Sequence, residues 1–296
     1  MLITNGLKAL DESEIKRIVN SSLQILENTG VEIENDFIVN KLIEEEGISA
    51  IGKNKIIIKC SYTEKFLNET ERIEIKKREM EITSFAGVYE GVYLDPIDDG
   101  YKVWTEERLL NYAKLAKKLP NIRAMFMLGC PLKSIPETKK PLYEKLYCWK
   151  YGIEGGESIW ETGLCPKIID MWHVYADEIS QHIEDIFNGT VYLISPLKFG
   201  KAEAAQFEFF FKRGLRVSVG QLGSLGGTVP VTLAGALSLH IAEGLFINIL
   251  NRIFFGDKSL SLYNSISTID MSTGMFQYGR PEQVLLNIAG AQIAEN

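Results

Sequence analysis

Between Val229 and Leu250 the sequence VPVTLAGALSLHIAEGLFINIL is apolar almost throughout, and this window limits the fold more than any other stretch. A segment apolar on every side must be buried, either in lipid or as the central helix of a core. This one carries His240 and Glu243, with glycines at 235 and 244. A charge at the centre of a spanning helix costs roughly 2.5–3.5 kcal/mol. The reading is therefore a buried helix of a soluble protein, from Val231 to about Leu250. Upstream, LRVSVG at 215–220 reads as a short buried strand, and Gly223, Gly226 and Gly227 follow it before Pro230. The unit is strand, glycine loop, helix. A loop of this kind offers backbone N–H groups and a positive helix end to an anionic group. The alternative is that the glycines only permit a tight turn and close packing.

The rest of the chain sets the class. Its 296 residues are 46% hydrophobic and 24% charged, enough for one large domain with a smaller appendage. A net charge of -7, with no basic stripe, argues against nucleic acid and against anionic membrane surfaces. Cys60, Cys130, Cys148 and Cys165 form no C-x-x-C pair and read as reduced thiols of a cytoplasmic protein. The N-terminus has no charged segment leading into an apolar core, so no signal peptide is read there.

Residues 1–85 read as a small mixed unit. Asp11 and Glu14 form a capping box for a helix that Gly30 ends; Asp36 starts a second helix, and Ile56–Cys60 is β-rich. From 86 to 296 the rhythm becomes strand then helix. Thr105 caps a helix ending before Pro120, and Ile122–Leu128 is a strand. Lys139–Tyr151 is a helix, Glu157–Glu161 a strand, Lys167–Ile183 a helix and Thr190–Ile194 a strand. Lys201–Gly214 is a helix, Leu260–Ile266 a strand and Glu282–Ala294 a helix. Repeats of about 30 residues imply a parallel sheet with helical crossovers. The rhythm alone does not separate an open sheet from a barrel.

No metal or nucleophile motif stands out. His173, His182 and His240 have no partner at ligand spacing, so no metal site is expected. Ser224 lacks one of the two glycines of a nucleophile elbow, and no lysine follows the glycine loop as in a phosphate-binding loop. What remains is the set of polar and aromatic residues at predicted strand ends, where α/β proteins bind ligands. The candidates are Gln221, Gly223, Tyr263, Asn264, Asp270, Gln277 and Tyr278. The segment TIDMSTGMFQYGRPE at 268–282 reads as a loop longer than a minimal strand-to-helix turn. Tyr89, Tyr93 and Trp104 read as packing aromatics.

Four stretches carry a resemblance: LDESEIKRIVNSSLQILENTGVEI, TEERLLNYAKLAKKLPNI, ISPLKF, and VPVTLAGALSLHIAEG with IDMSTGMFQYGRPEQVLLNIAGAQIA. In this order they resemble the trimethylamine methyltransferase (MttB) family, its non-pyrrolysine, glycine betaine-type members included. The resemblance implies a TIM-type (β/α)8 barrel that moves a methyl group from a quaternary or tertiary amine to Co(I) of a cognate corrinoid protein. It implies no tightly bound cofactor, since the partner brings the corrinoid, and it allows a homo-oligomer. Family members are longer, so the expectation is a partial barrel of about five strand–helix units. The competing expectations are a non-catalytic ligand-binding or assembly fragment, and an enzyme that binds a phosphorylated substrate on the 223–228 loop.

Overall fold

The computed structural model describes residues 7–71, 84–89, 91–152, 161–262 and 264–296. In chain order the elements are α1 (Glu12–Gln24), β1 (Val31–Ile33), α2 (Asp36–Leu42), β2 (Ile48–Ile51), β3 (Lys55–Ile58) and α3 (Cys60–Asn68). Next come β4 (Ser84–Tyr89), β5 (Val92–Asp95), β6 (Gly100–Val103), α4 (Glu106–Lys118), β7 (Ile122–Leu128), α5 (Lys140–Tyr151), α6 (Cys165–Ile179) and α7 (Ile183–Ile186). The remainder is β8 (Gly189–Tyr192), β9 (Lys198–Phe199), α8 (Lys201–Phe211), β10 (Val217–Gly220), β11 (Gly223–Leu225), α9 (Leu233–Phe255), β12 (Ile266–Ile269), β13 (Phe276–Gln277) and α10 (Pro281–Glu295).

Two compact units divide these elements. One gathers the described residues of Met1–Glu74 and Val191–Asn296, and the other those of Ile75–Thr190. The N-terminal segment thus packs with the C-terminal part of the chain. Its sheet has the order β2-β3-β1-β9, with β1 antiparallel to β3 and parallel to β9. Helix α1 starts as the sequence demands: the Asp11 carboxylate accepts from Glu14 N–H at 2.8 Å, and Glu14 accepts from Asp11 N–H at 2.9 Å. Its apolar stripe, Ile15, Ile18 and Leu23, is buried, and the helix packs on α9. Rings from Phe37, Phe199, Phe207, Phe211 and Phe254 fill the space around α8 in edge and stacked pairs.

In the second unit β4 and β7 pair in parallel with α4 between them in sequence. The Thr105 hydroxyl accepts from Arg108 N–H, as a cap should. Val88, Leu109, Ala113, Met125 and Met127 lie at its core. Tyr93 and Trp104 pack ring to ring at 4.8 Å, the packing use expected of them. The side chain of Tyr89 and most of the expected strand at 157–161 lie outside the described residues.

The architecture is mixed α/β with several small sheets of two to four strands, and among the described residues no closed barrel is formed. Three expected boundaries move. The helix after the glycine loop begins at Leu233 and runs to Phe255. The strand expected at 260–266 is instead Ile266–Ile269. The segment read as a long loop is a β-hairpin, in which β12 and β13 pair antiparallel, Thr268 opposite Gln277. Apolar content marked the region, but the turn chemistry at Asp270 and Gly274 decided its shape.

Gly30 shows how tightly the first sheet is seated. Its φ is +73°, and a Cβ there would overlap the carbonyl oxygen of Ile56. Gly52 has φ +66° with open space around it. Thermal unfolding should therefore separate them. Gly52→Ala loses about 1–2 kcal/mol, the cost of a left-handed residue. Gly30→Ala loses distinctly more, because the backbone must also move.

Candidate functional site

Helix α9 is the core of the first unit and is also its polar hub. Its most apolar window is long enough to cross a membrane, yet 83% of that window is buried inside the fold, as the buried-helix reading expects. His240, Gly244 and Asn248 recur at four-residue spacing and so share one face. Ser261, Leu262 and Ser265 lie along that face. Ser265 N–H donates to His240 Nε2 at 3.2 Å. At Gly244 a side chain would meet the Leu262 methyl at 2.8 Å. Asn248 Nδ2 donates to Ser261 O at 2.8 Å, and Asn248 Oδ1 accepts from Ser261 N–H at 2.9 Å. The helix face thus takes up the Ser261 N–H and C=O and the Ser265 N–H, groups that a strand over those residues would have paired.

Glu243 lies beside this face and is fully buried. Its carboxyl accepts from the Ser195 hydroxyl and from Leu197 N–H, both at 2.9 Å. Leu197 adopts φ +52°, an uncommon backbone for a branched residue, and the Glu243 bond holds it there. The oxygen that takes the Ser195 hydroxyl, Glu243 Oε2, lies 3.9 Å from His240 Nδ1, beyond hydrogen-bond reach. Because Nε2 of the ring accepts a backbone N–H, the neutral imidazole carries its proton on Nδ1, towards Glu243. The Gln221 amide reaches the same Nε2 at 3.1 Å. Burial pushes the Glu243 carboxyl up from its ordinary range, and the Leu197 and Ser195 bonds oppose that only in part.

Ser195 follows β8 and Gln221 follows β10, and these two strands pair. Leu193 N–H donates to Gly220 O just past their ends. Glu243 and His240 therefore join three segments: the turn after β8, the end of β10 and the approach to β12. Glutamate, imidazole and Ser265 hydroxyl stand in the order of a nucleophilic triad, but the chemistry does not follow. The Ser265 hydroxyl donates to Gln221 O, lies 3.5 Å from the ring, and the ring nitrogen already takes Ser265's own N–H.

The sequence candidates divide into two groups. Gln221 belongs to the network just described. Gly223 does not offer an open N–H: it donates to Ser265 O, and a Cβ there would press on Val229 and Ile266. The N–H groups of Ser224, Gly226, Gly227, Thr228 and Val229 are likewise spent inside the turn. The loop therefore lacks the row of free donors that a phosphate or carboxylate would need. Asn264 donates to Asn287 at 2.7 Å and packs against Gly290. Tyr263 lies outside the described residues.

The second group sits at the other end of β12. The Asp270 carboxylate accepts from Ser272 N–H, the Ser272 hydroxyl, Thr273 N–H and the Gln277 amide. Those bonds, the Ser272 hydroxyl foremost, hold it below the usual carboxylate range. It shapes the hairpin turn. Gln277 accepts from Arg280, and the exposed Tyr278 ring rests on Phe276 at 5.0 Å. Five residues lie between Asn264 and Asp270, four of them β12, a span of at most roughly 20 Å at a strand's rise. Sequence reading weighed His240 only as a metal ligand and Glu243 only as a charge; the signal was two polar residues three apart, one turn of the helix, in a largely apolar window.

No cluster of three metal-binding side chains occurs among the described residues. All four cysteines are free thiols. Comparison with known proteins bears on the whole chain. The family model described as trimethylamine methyltransferase (MTTB) matches residues 3–296. The glycine betaine methyltransferase of Desulfitobacterium hafniense (strain Y51) is 24% identical over 303 residues, covering 96% of this chain. The trimethylamine methyltransferase MttB of Desulfitobacterium hafniense (strain DSM 10664 / DCB-2) is 23% identical over 316 residues, covering 98% of it. In both cases the chain spans 61% of the relative's length.

Replacing Glu243 with glutamine gives a pH-dependent difference in stability. The folded pKa lies above the unfolded value near 4.5. Below that value the carboxyl is neutral in both states and costs nothing. As pH rises through the raised folded pKa, the wild type must hold a buried charge and loses stability that the glutamine variant keeps. Melting temperatures measured from about pH 4 to about pH 8 should shift in the variant's favour as pH rises. A constant gap would show that the buried carboxyl is not perturbed.

Proposed function

The chain belongs to the trimethylamine methyltransferase family, and on that premise we propose that it takes a methyl group from a methylated amine and delivers it to Co(I) of a corrinoid carried by a partner protein. The observation that carries this reading is the family match across residues 3–296. A betaine is the favoured substrate class, in keeping with one of the relatives named above.

The chemistry suits a chain with this set of side chains. When the N–CH3 bond of a quaternary ammonium breaks, its electron pair stays on nitrogen. The cation leaves as a neutral tertiary amine, and no acid or base is required. A tertiary amine must first carry a proton to leave as a neutral secondary amine. The corrinoid, when bound, supplies the electron pair for the new bond to carbon. The protein's own task is to bind the cation, aim one methyl group and exclude water. Aromatic faces and a carboxylate are the groups that recognise such a cation.

In this reading Gln221, past the end of β10, and Tyr263 and Asn264, ahead of β12, contribute to the amine pocket. The hairpin residues Asp270, Gln277 and Tyr278 shape its neighbourhood. The parallel pairings β4–β7 and β11–β12 support, as a proposal, strand–helix units of a (β/α)8 barrel. The cytoplasm is the proposed setting, and association into a homo-oligomer belongs to the same proposal.

The test is methyl transfer to chemically reduced cobalamin, followed by its absorbance spectrum. Glycine betaine, a carnitine, choline and trimethylamine are offered in turn. Formation of methylcobalamin with a betaine is the expected result. No transfer from any of the four by a folded chain overturns the proposal. Calorimetric binding without transfer would point instead to a non-catalytic ligand-binding fold.

A further inference from the structure

The hairpin of β5 and β6 turns its two faces to different surroundings. Val92 pairs with Val103, Tyr93 with Lys102 and Leu94 with Tyr101. Strand alternation therefore sets Val92, Leu94, Tyr101 and Val103 on one face. The other face holds the hairpin to its own chain. There the Tyr93 ring lies on Trp104 at 4.8 Å and under the Arg108 guanidinium. The buried Asp95 carboxylate meets Lys102 at 3.1 Å and Arg108 at 3.7 Å. A half-buried antiparallel ribbon usually packs its apolar residues and leaves its charges in water. Here the ion pairs lie on the packed face and the apolar face looks out. Tyr101 is 79% exposed, and Val92, Leu94 and Val103 are each about half exposed. Two strands alone are marginal in water, and a contiguous apolar face of this kind marks an interaction surface.

We propose that a second copy of the chain docks on this face, ribbon against ribbon, with the strands of the two copies antiparallel. Charge, area and shape choose that occupant. None of the four residues is charged, so a partner that buries no unpaired charge must be uncharged and apolar there, as this face itself is. Together with the exposed Ile97 at the tip, two such faces cover roughly 1,200 Å2, the lower end of a specific interface. The face has a small row, Val92 with Val103, and a large row, Leu94 with Tyr101. A two-fold axis across the strands lays the large row of each copy over the small row of the other, so that the side chains interdigitate. It also sends the acidic tips, Asp98 and Asp99, to opposite ends of the contact. A parallel arrangement would set large row on large row and tip on tip. The homo-oligomer proposed above thereby acquires a surface, one that rests on the geometry of the ribbon whatever reaction the chain performs.

The experiment is sedimentation velocity on the full chain over a concentration series. An interface this small predicts a reversible dimer with a Kd of about 1–50 µM. Leu94→Lys places a charge inside the contact and should weaken association at least about tenfold, with a melting temperature within about 2 °C of wild type. Val174→Lys, on an exposed part of α6, is the control and should associate as wild type does. Antiparallel docking sets position 92 of one copy over position 94 of the other. Val92→Glu and Leu94→Lys should therefore each be monomeric alone and associate when mixed.

A wild type that stays monomeric to about 300 µM overturns the proposal. So does a dimer equally tight in Leu94→Lys, or one lost equally in Val174→Lys. A mixture that associates no better than its two components overturns the antiparallel arrangement. If Leu94→Lys does not fold, Tyr101→Lys gives the same test from the most exposed of the four side chains.

Discussion

The first unit depends on a buried carboxyl and a buried imidazole set side by side on an apolar helix. Without partners, the two groups would cost the helix several kcal/mol. Helix α9 meets that cost by bonding to the chain around it: the Ser195–Leu197 turn, the end of β10 and the approach to β12. Asn248 repeats the device about two turns beyond His240, with Ser261. The helix is therefore both the main apolar surface of the unit and the template on which irregular backbone is satisfied. A wholly apolar helix would pack as well, but it would leave those N–H groups without acceptors.

This arrangement also explains why the glycine loop is not an anion site. Its glycines sit where strands and turn come close, and its amides turn inwards. A peptide N–H that closes a tight turn is not available to a ligand. The polar chemistry lies instead just before the loop, at Gln221, and well inside α9, at His240 with Glu243. For the methyl transfer proposed above, the change is a gain in sense. The transfer calls for rigid placement of a cation, and a buried network fixes strand ends more firmly than a loop does.

Much of the local structure was legible because it depends on near neighbours. The Asp11–Glu14 box, the Thr105 cap and the strand at Ile122–Leu128 follow from side chains within a few residues of the backbone they serve. The hairpin at 266–277 was harder to see. Its turn depends on Asp270 collecting four donors, and Asp, Ser and Thr in a row also describe an open loop. The pairing of β1 with β9 joins residues about 166 positions apart in sequence, a distance at which periodicity carries no information.

By itself, then, the sequence determined that a helix from Val231 to about Leu250 must be buried, that the fold is mixed α/β, and which family the chain resembles. Each of these follows from composition, period or ordered motif along one dimension. Tertiary structure alone decided which polar residues of that helix matter. His240 and Glu243 look like isolated exceptions in an apolar run. They become a site only when Ser195, Gln221 and Ser265, from separate segments, arrive within hydrogen-bonding reach. Hydrogen bonds and burial are properties of distance in space, and chain order does not encode that distance until the helix is packed.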